Sequence, residues 1–251
     1  MPRVTIVVPC YNEAERLPVE RFRAGLRELG DVGFVFVDDG STDDTPALLR
    51  LLRDAGPERV HVLELRKNAG KGAAVRAGVL QALELCPQYV GYWDADLATP
   101  LETIRDFCDL LDTRPDIEMV FGARVQLLGR AIRRSETRHY LGRVFATAVS
   151  NLLRLKIYDT QCGAKLFRGT AELGELFREP FLTRWMFDVE LVARLIRARR
   201  GTTLPQAQHV IYEYPLTTWT DVRGSKVRVL DVLRTPGGLL RIYRGYLTPR
   251  S

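Results

Sequence analysis

The chain has 251 residues, room for one large α/β domain or two small ones, and its 46% hydrophobic and 27% charged content suits a soluble globular core. A formal charge of +6 favours acidic partners such as nucleotide diphosphates, anionic headgroups or nucleic acid, without choosing among them. No apolar run approaches the ~20 residues of a bilayer-spanning helix, which excludes a chain that crosses a membrane unaided.

The first predicted element is a buried strand at Val4–Pro9, and because the chain opens almost directly on it, no signal peptide is expected. A helical pattern follows over Glu20–Leu29, then a strand at Phe34–Asp38. Thr45 ahead of Pro46 reads as a hydroxyl N-cap for a helix over Pro46–Ala55. A strand at Val60–Leu65, a helix over Ala73–Leu85 and a strand at Tyr89–Asp94 come next, and Thr99-Pro100-Leu101-Glu102 reads as a capping box. Such alternation predicts an α/β fold with a Rossmann-like, mostly parallel sheet flanked by helices, whose ligands bind beyond the carboxyl ends of the strands.

The second half is less regular. A strand is expected at Met119–Ala123, then a basic stretch over Gln126–Arg154, helices at Thr170–Phe177 and Val189–Arg200, and an alternating strand at His209–Tyr214. Val227–Tyr246 reads as one amphipathic helix interrupted near Pro236-Gly237-Gly238. With no internal repeat or linker, one domain over residues 1–251 is the expectation. The scattered Cys10, Cys86, Cys108 and Cys162, beside His61, His139 and His209, have no zinc-ligand spacing and read as reduced core residues of a cytoplasmic protein.

The strand tips carry the chemistry. Glu13, Asp38, Asp39, Asp43, Asp94 and Asp96 would gather at one sheet edge, where like charges need a cation or hydrogen-bond donors to compensate them. Asp94 and Asp96, two residues apart in extended chain, point the same way and offer hard oxygens to Mg²⁺ or Mn²⁺. Asn68-Ala69-Gly70-Lys71-Gly72 has the look of an anion-binding loop at a helix start, yet Gly72 stands where a Walker motif needs Ser or Thr, and Val75 breaks the dinucleotide-binding glycine spacing. An NTPase and a dinucleotide oxidoreductase are therefore disfavoured, and the glycines can also be read simply as turn formers.

Val8-Pro9-Cys10-Tyr11-Asn12-Glu13, Val37-Asp38-Asp39-Gly40-Ser41-Thr42-Asp43 and Asp94-Ala95-Asp96 resemble the successive signatures of family 2 glycosyltransferases with the GT-A fold. Asp159-Thr160-Gln161-Cys162-Gly163-Ala164-Lys165-Leu166-Phe167, Trp185–Leu191 and Trp219–Lys226 are similar to the polyprenyl-phosphate branch, the dolichyl-phosphate glucosyltransferases and mannosyltransferases. The resemblance departs at Ala164, where that branch has an aromatic residue, and in the N-terminal anchor of the eukaryotic enzymes, which is not expected here.

The resemblance implies an inverting, metal-dependent hexosyltransferase that uses UDP-glucose, or else GDP-mannose, and a lipid-phosphate acceptor. Pro9, Tyr11, Asn12, Glu13, Asp38 and Asp39 would line the nucleoside pocket, with Lys71 near the nucleotide. Asp94, Ala95 and Asp96 would handle sugar, diphosphate and a Mg²⁺ or Mn²⁺ ion, and Arg124 would face the phosphates. Asp188 aligns with the general base of many family members, and Asp159 is its rival near the acceptor. Arg134, Arg138, Gln161 and Lys226 are the expected acceptor contacts.

The basic segment near 124–155 mixes arginines with apolar residues and would lie against an anionic membrane or grip an acceptor phosphate, if it is not a plainly solvated face. Residence in the cytoplasm with peripheral contact at the inner membrane face, or with a membrane-protein partner, is the corresponding expectation. A soluble hydroxyl acceptor, a non-catalytic nucleotide-sugar-binding protein and a nucleic-acid-binding module stand as alternatives; the last lacks any recognisable motif, so no nucleic-acid partner is expected.

Overall fold

The computed structural model describes residues 2–126, 128–133, 136–220 and 235–248. Strands β1 (Val4–Cys10), β2 (Val32–Asp38), β3 (Val60–Glu64) and β4 (Tyr89–Trp93) alternate with helices α1 (Val19–Glu28), α2 (Thr45–Ala55) and α3 (Lys71–Glu84). Then come α4 (Thr103–Thr113), β5 (Met119–Ala123), β6 (Ala131–Arg133), α5 (Glu136–Leu153), β7 (Ala164–Arg168), α6 (Ala171–Arg178) and α7 (Phe187–Arg199). The last elements are α8 (Ala207–Val210), β8 (Ile211–Pro215), β9 (Thr218–Thr220), α9 (Thr235–Ile242) and a π-helical turn at Tyr243–Leu247.

Among the described residues the main sheet runs in the order β3-β2-β1-β4-β7-β5-β8, and β6 pairs with β9 beside it. All neighbours in the main sheet are parallel except β7, which runs antiparallel to both β4 and β5. Strand side chains alternate between two buried faces. Val4, Ile6, Val8, Phe34 and Phe36 pack on one side with Phe22, Leu49 and Phe107 of α1, α2 and α4. Val7, Val35 and Val37 pack on the other with Val75, Val79, Val189 and Val192 of α3 and α7. Both faces being covered, these strands read in sequence as near-continuous apolar runs. The chain reverses its direction of travel across the sheet between β1 and β4, so their carboxyl ends open the crevice where ligands of such sheets bind.

Four local expectations need correction. Thr45 lies inside the first turn of α2 rather than capping it, and its hydroxyl instead accepts from the Glu13 N–H at 2.7 Å and donates to Asp43 at 2.6 Å. The Thr99–Glu102 stretch makes turns ahead of α4, which starts at Thr103 with no side-chain cap bond. Strand β7 was not expected from the sequence: Ala164-Lys165-Leu166-Phe167-Arg168 shows no clean alternation because it is central, with its lysine buried. In the C-terminal region 221–234 lies outside the described residues, and Pro236-Gly237-Gly238, expected to interrupt the helix, instead lies within α9.

Candidate active site

The loops after β1 and β2 are sewn together by short polar side chains. Asn12, in the left-handed region at φ 48°, donates its N–H to the Ser41 hydroxyl and accepts from the Thr42 N–H at 2.8 Å. Asp43 accepts from the Ala14 N–H, and Asp38 turns back to accept from the Ser41 N–H at 3.1 Å. Pro9 pairs with Val37 one step before the β1–β2 ladder ends at Cys10 and Asp38, and Tyr11 sits half-buried just beyond.

Asp39 is buried, and its carboxylate accepts from the N–H groups of Ala69 (2.7 Å) and Gly70 (2.8 Å) and from the Asn68 amide (3.0 Å). Burial pushes its pKa up against those hydrogen bonds. The N–H groups of the 68–70 turn therefore hold an anion that is the protein's own, the Asp39 carboxylate. Gly70, at φ 97°, makes the turn into α3 where a Cβ would meet Arg184. Arg184, absent from the sequence reading, donates to Asn68 at 2.5 Å.

The β4 tip differs. Asp94 Oδ1 lies 2.5 Å from Lys71 Nζ, and Asp96 Oδ2 lies 2.9 Å from the Arg16 guanidinium. Burial lowers the Lys71 pKa, yet Asp94, Asp188 and Asp96 together outweigh it and hold the ammonium above its ordinary value. Asp96 is pushed up, first by burial and then by the neighbouring Asp94 charge. Ala95 points inward, and the Ala98 N–H returns to Asp96. Gly163 closes over this tip: its carbonyl accepts from the Asp94 N–H at 2.8 Å, and a Cβ there would overlap the Asp94 carboxylate where it now stands. Arg16 carried no mark in the sequence reading beyond its place just after the acidic loop.

Across the crevice, Arg124 follows β5 and forks onto Asp159 at 2.7 and 2.8 Å, stacked beside Trp219 at 5.3 Å. Burial works against the guanidinium charge, but Asp159 more than restores it and raises its pKa. Gln161 donates its N–H to the same carboxylate. Beneath them Glu213 of β8 accepts from the Tyr158 and Asp159 N–H groups at 2.7–3.0 Å, its pKa raised by burial. Glu213 was missed; its one signal was a carboxylate at a half-buried strand position between two tyrosines.

Asp188 lies deeper, 3% exposed in the first turn of α7, and accepts from the buried Lys165 ammonium at 2.7 Å and from the Tyr92 hydroxyl. Burial and the Asp188 charge drive the Tyr92 pKa well up. Both carboxylates considered as a base are thus paired with a cation, Asp159 at the crevice wall and Asp188 below it. Arg134, Lys226 and the Arg138 side chain lie outside the described residues.

Among the described residues no three His, Cys, Asp or Glu side chains converge as a metal cage. Two adjacent carboxylates at a crevice edge still fit Mg²⁺ or Mn²⁺, which take one or two carboxylates and complete their shell from water and a substrate's phosphates. A cavity of about 580 Å³ lies away from the acidic tips, between α5 and the 154–158 segment, with Arg143, Arg154 and Lys156 in its lining. No helix among the described residues is long and apolar enough to cross a membrane.

Residues 5–172 match the sequence profile of glycosyl transferase family 2. The chain is 33% identical to the dolichyl-phosphate β-glucosyltransferase of Mus musculus, over 98% of this chain and 76% of that protein. It is 30% identical to the enzyme of the same name in Saccharomyces cerevisiae, over 97% and 75%. Among solved structures, it resembles glucosyl-3-phosphoglycerate synthase from Mycobacterium tuberculosis bound to Mn²⁺, UDP-glucose and phosphoglyceric acid: TM-score 0.65, 19% identity, covering 100% of this chain and 81% of that one. A mannosyltransferase from Pyrobaculum calidifontis with GDP-Man and Mn²⁺ gives 0.64 at 18% identity, over 100% and 65%. At such identities these structures speak for the fold, which is GT-A.

Proposed function

The chain belongs to glycosyl transferase family 2, and from that membership we propose that it moves glucose from UDP-glucose to a polyprenyl phosphate, with inversion at the anomeric carbon. The similarity to dolichyl-phosphate β-glucosyltransferases over nearly the whole chain supports the sugar and the acceptor class. The observation that carries the reaction is the β4 tip, where Asp94 and Asp96 each face a cation brought from another loop. Such a tip has both the oxygens to hold a divalent ion and the positive charge to receive a leaving diphosphate.

Asp94 and Asp96 would hold Mg²⁺ or Mn²⁺, whose chemistry there is to neutralise charge on the diphosphate. Lys71, half-buried at the start of α3, is positioned to exchange Asp94 for a phosphate oxygen. Pro9, Tyr11, Asn12, Glu13, Asp38 and Asp39 form the wall assigned to the nucleoside, with Asp39 stiffening the 68–70 turn. On the other wall Arg124 would orient the acceptor's phosphate, with Asp159 fixing its fork and Gln161 beside it. A phosphate acceptor carries its nucleophilic oxygen already ionised, so the reaction needs orientation and charge neutralisation more than proton removal. That demand agrees with carboxylates that are all engaged with cations or N–H groups. A hydroxyl acceptor would need Asp188 or Asp159 released from its partner.

Arg134, Arg138 and Lys226 remain proposed acceptor contacts, and we take residues 1–251 as one catalytic domain that meets the membrane peripherally through its basic segment. Thermal shift with Mn²⁺ tests the donor: UDP-glucose should stabilise by mass action and GDP-mannose should not. Stabilisation by GDP-mannose alone would replace the proposed donor. Sedimentation with vesicles tests the membrane contact, which should require anionic lipid and weaken with salt.

A further inference from the structure

Lys165 is an ammonium with no access to solvent in the middle of the central sheet. It donates to the carbonyls of Thr160 (2.9 Å) and Cys162 (2.7 Å) and to Asp188 (2.7 Å), and lies 4.9 Å from the Phe121 ring centre. Stability alone gives no reason for such a pair, because apolar groups of similar size in its place are often neutral or stabilising. Its two carbonyl bonds instead hold the turn that spans the crevice floor. One end of that turn is Asp159, forked by Arg124; the other is Gly163, whose carbonyl takes the Asp94 N–H and whose missing side chain makes room for the Asp94 carboxylate. One buried cation therefore fixes the stretch on which both walls of the crevice depend.

We propose that Lys165 is a positioning residue for glycosyl transfer, setting Asp94 and Asp159 through the Thr160–Gly163 turn, and that Asp188 is its counter-ion rather than the proton acceptor. The proposal rests on the transferase reading given above. It assigns Asp188 a structural charge shared with the Tyr92 hydroxyl and the first turn of α7, which favours an anion there.

Three variants separate the possibilities. Lys165→Met leaves Asp188 buried without its cation and can fail to fold. Lys165→Met with Asp188→Leu removes the pair together and keeps the core apolar, so it should fold. Asp188→Asn keeps an oxygen that accepts from Lys165 and Tyr92 but leaves the buried ammonium without its counter-charge, so its activity is read on protein that circular dichroism shows to be folded. In the double variant kcat should fall by ~10²-fold, the effect of a small misplacement at reacting groups. Its affinity for UMP, which lacks the diphosphate and tests the nucleoside wall alone, should stay within about threefold by calorimetry, because the loops around Asp39 and Asn12 are untouched. Amide hydrogen exchange at Asp94 should quicken in the same variant, a readout that needs no turnover. Asp188→Asn should keep activity within about fivefold, well short of the ~10²–10⁴-fold expected for loss of a general base. Wild-type exchange at Asp94 and wild-type kcat in the double variant would overturn the positioning role. A loss near a thousandfold in Asp188→Asn would overturn the counter-ion role. Absence of glucosyl transfer by the wild-type chain would count against the transferase reading alone, leaving the exchange result to judge Lys165.

Discussion

At the tips of β1 and β2 the carboxylates of Asp38, Asp39 and Asp43 are met by backbone N–H groups, most of them from neighbouring loops. On the far side of the crevice Asp159 is met by a guanidinium from 35 residues earlier, and Glu213 reaches back 54 residues to the Asp159 N–H. Both edges solve the same problem, acidic groups crowded at strand ends, but with different means. Backbone donors neutralise charge through turn geometry that short polar motifs dictate. Ion pairs between distant segments depend on tertiary placement, and they tie this wall of the crevice to the packing of β5, β8 and the 159–163 turn.

That difference predicts where each edge breaks. The largest effect should come from the tip between them: Asp96→Ala is expected to lower turnover by at least ~10²–10³-fold, the range for losing one preorganised electrostatic contact. Circular dichroism should show an unchanged fold, and excess EDTA should mimic the variant. Next, Arg124→Ala deprives a buried carboxylate of its cation, a change that typically destabilises by ~3–5 kcal/mol. The low end is expected in chemical denaturation, because the N–H groups of Arg124 and Gln161 still bond to Asp159. On the opposite edge Thr45→Val strips the acceptor from the buried Glu13 N–H and should destabilise by only ~1–3 kcal/mol. Equal losses at the two edges would erase the contrast.

The smallest effect is in pH. The Asp39 pKa is raised, so its contribution to stability is fully present below the ordinary aspartate range and is lost as pH rises through the raised value. The stability of wild type relative to Asp39→Asn should therefore rise as pH falls from neutral, and a relative stability that falls instead would mean the carboxylate is better stabilised than its burial indicates.

The same contrast marks what the sequence made legible. The β1–β4 half followed from apolar runs broken by Asn12-Glu13, Asp38-Asp39 and Asp94-Ala95-Asp96, because each motif and its strand are contiguous. Crowded carboxylates imply a cation or hydrogen-bond donors, and the fold uses both: N–H groups at the β2 tip, and Lys71 and Arg16 at the β4 tip. Arg16, Lys165, Arg184 and Glu213 gave no local sign, since each matters only through a partner brought close by the fold. Lys165 in particular stands within the Asp159–Phe167 stretch with nothing local to mark its role, and a buried lysine also disguises β7. Arg124 and Asp159 were singled out separately, and only the structure joins them.

The central claim is tested most directly by incubating the purified chain with radiolabelled UDP-glucose, Mn²⁺ and a polyprenyl phosphate and extracting the product into organic solvent. The account predicts a glucolipid that forms only with the phosphorylated lipid, disappears with EDTA, and is not replaced by a mannolipid when GDP-mannose is the donor. Transfer to the unphosphorylated polyprenol at the same rate, or donor turnover unaffected by EDTA, would contradict it.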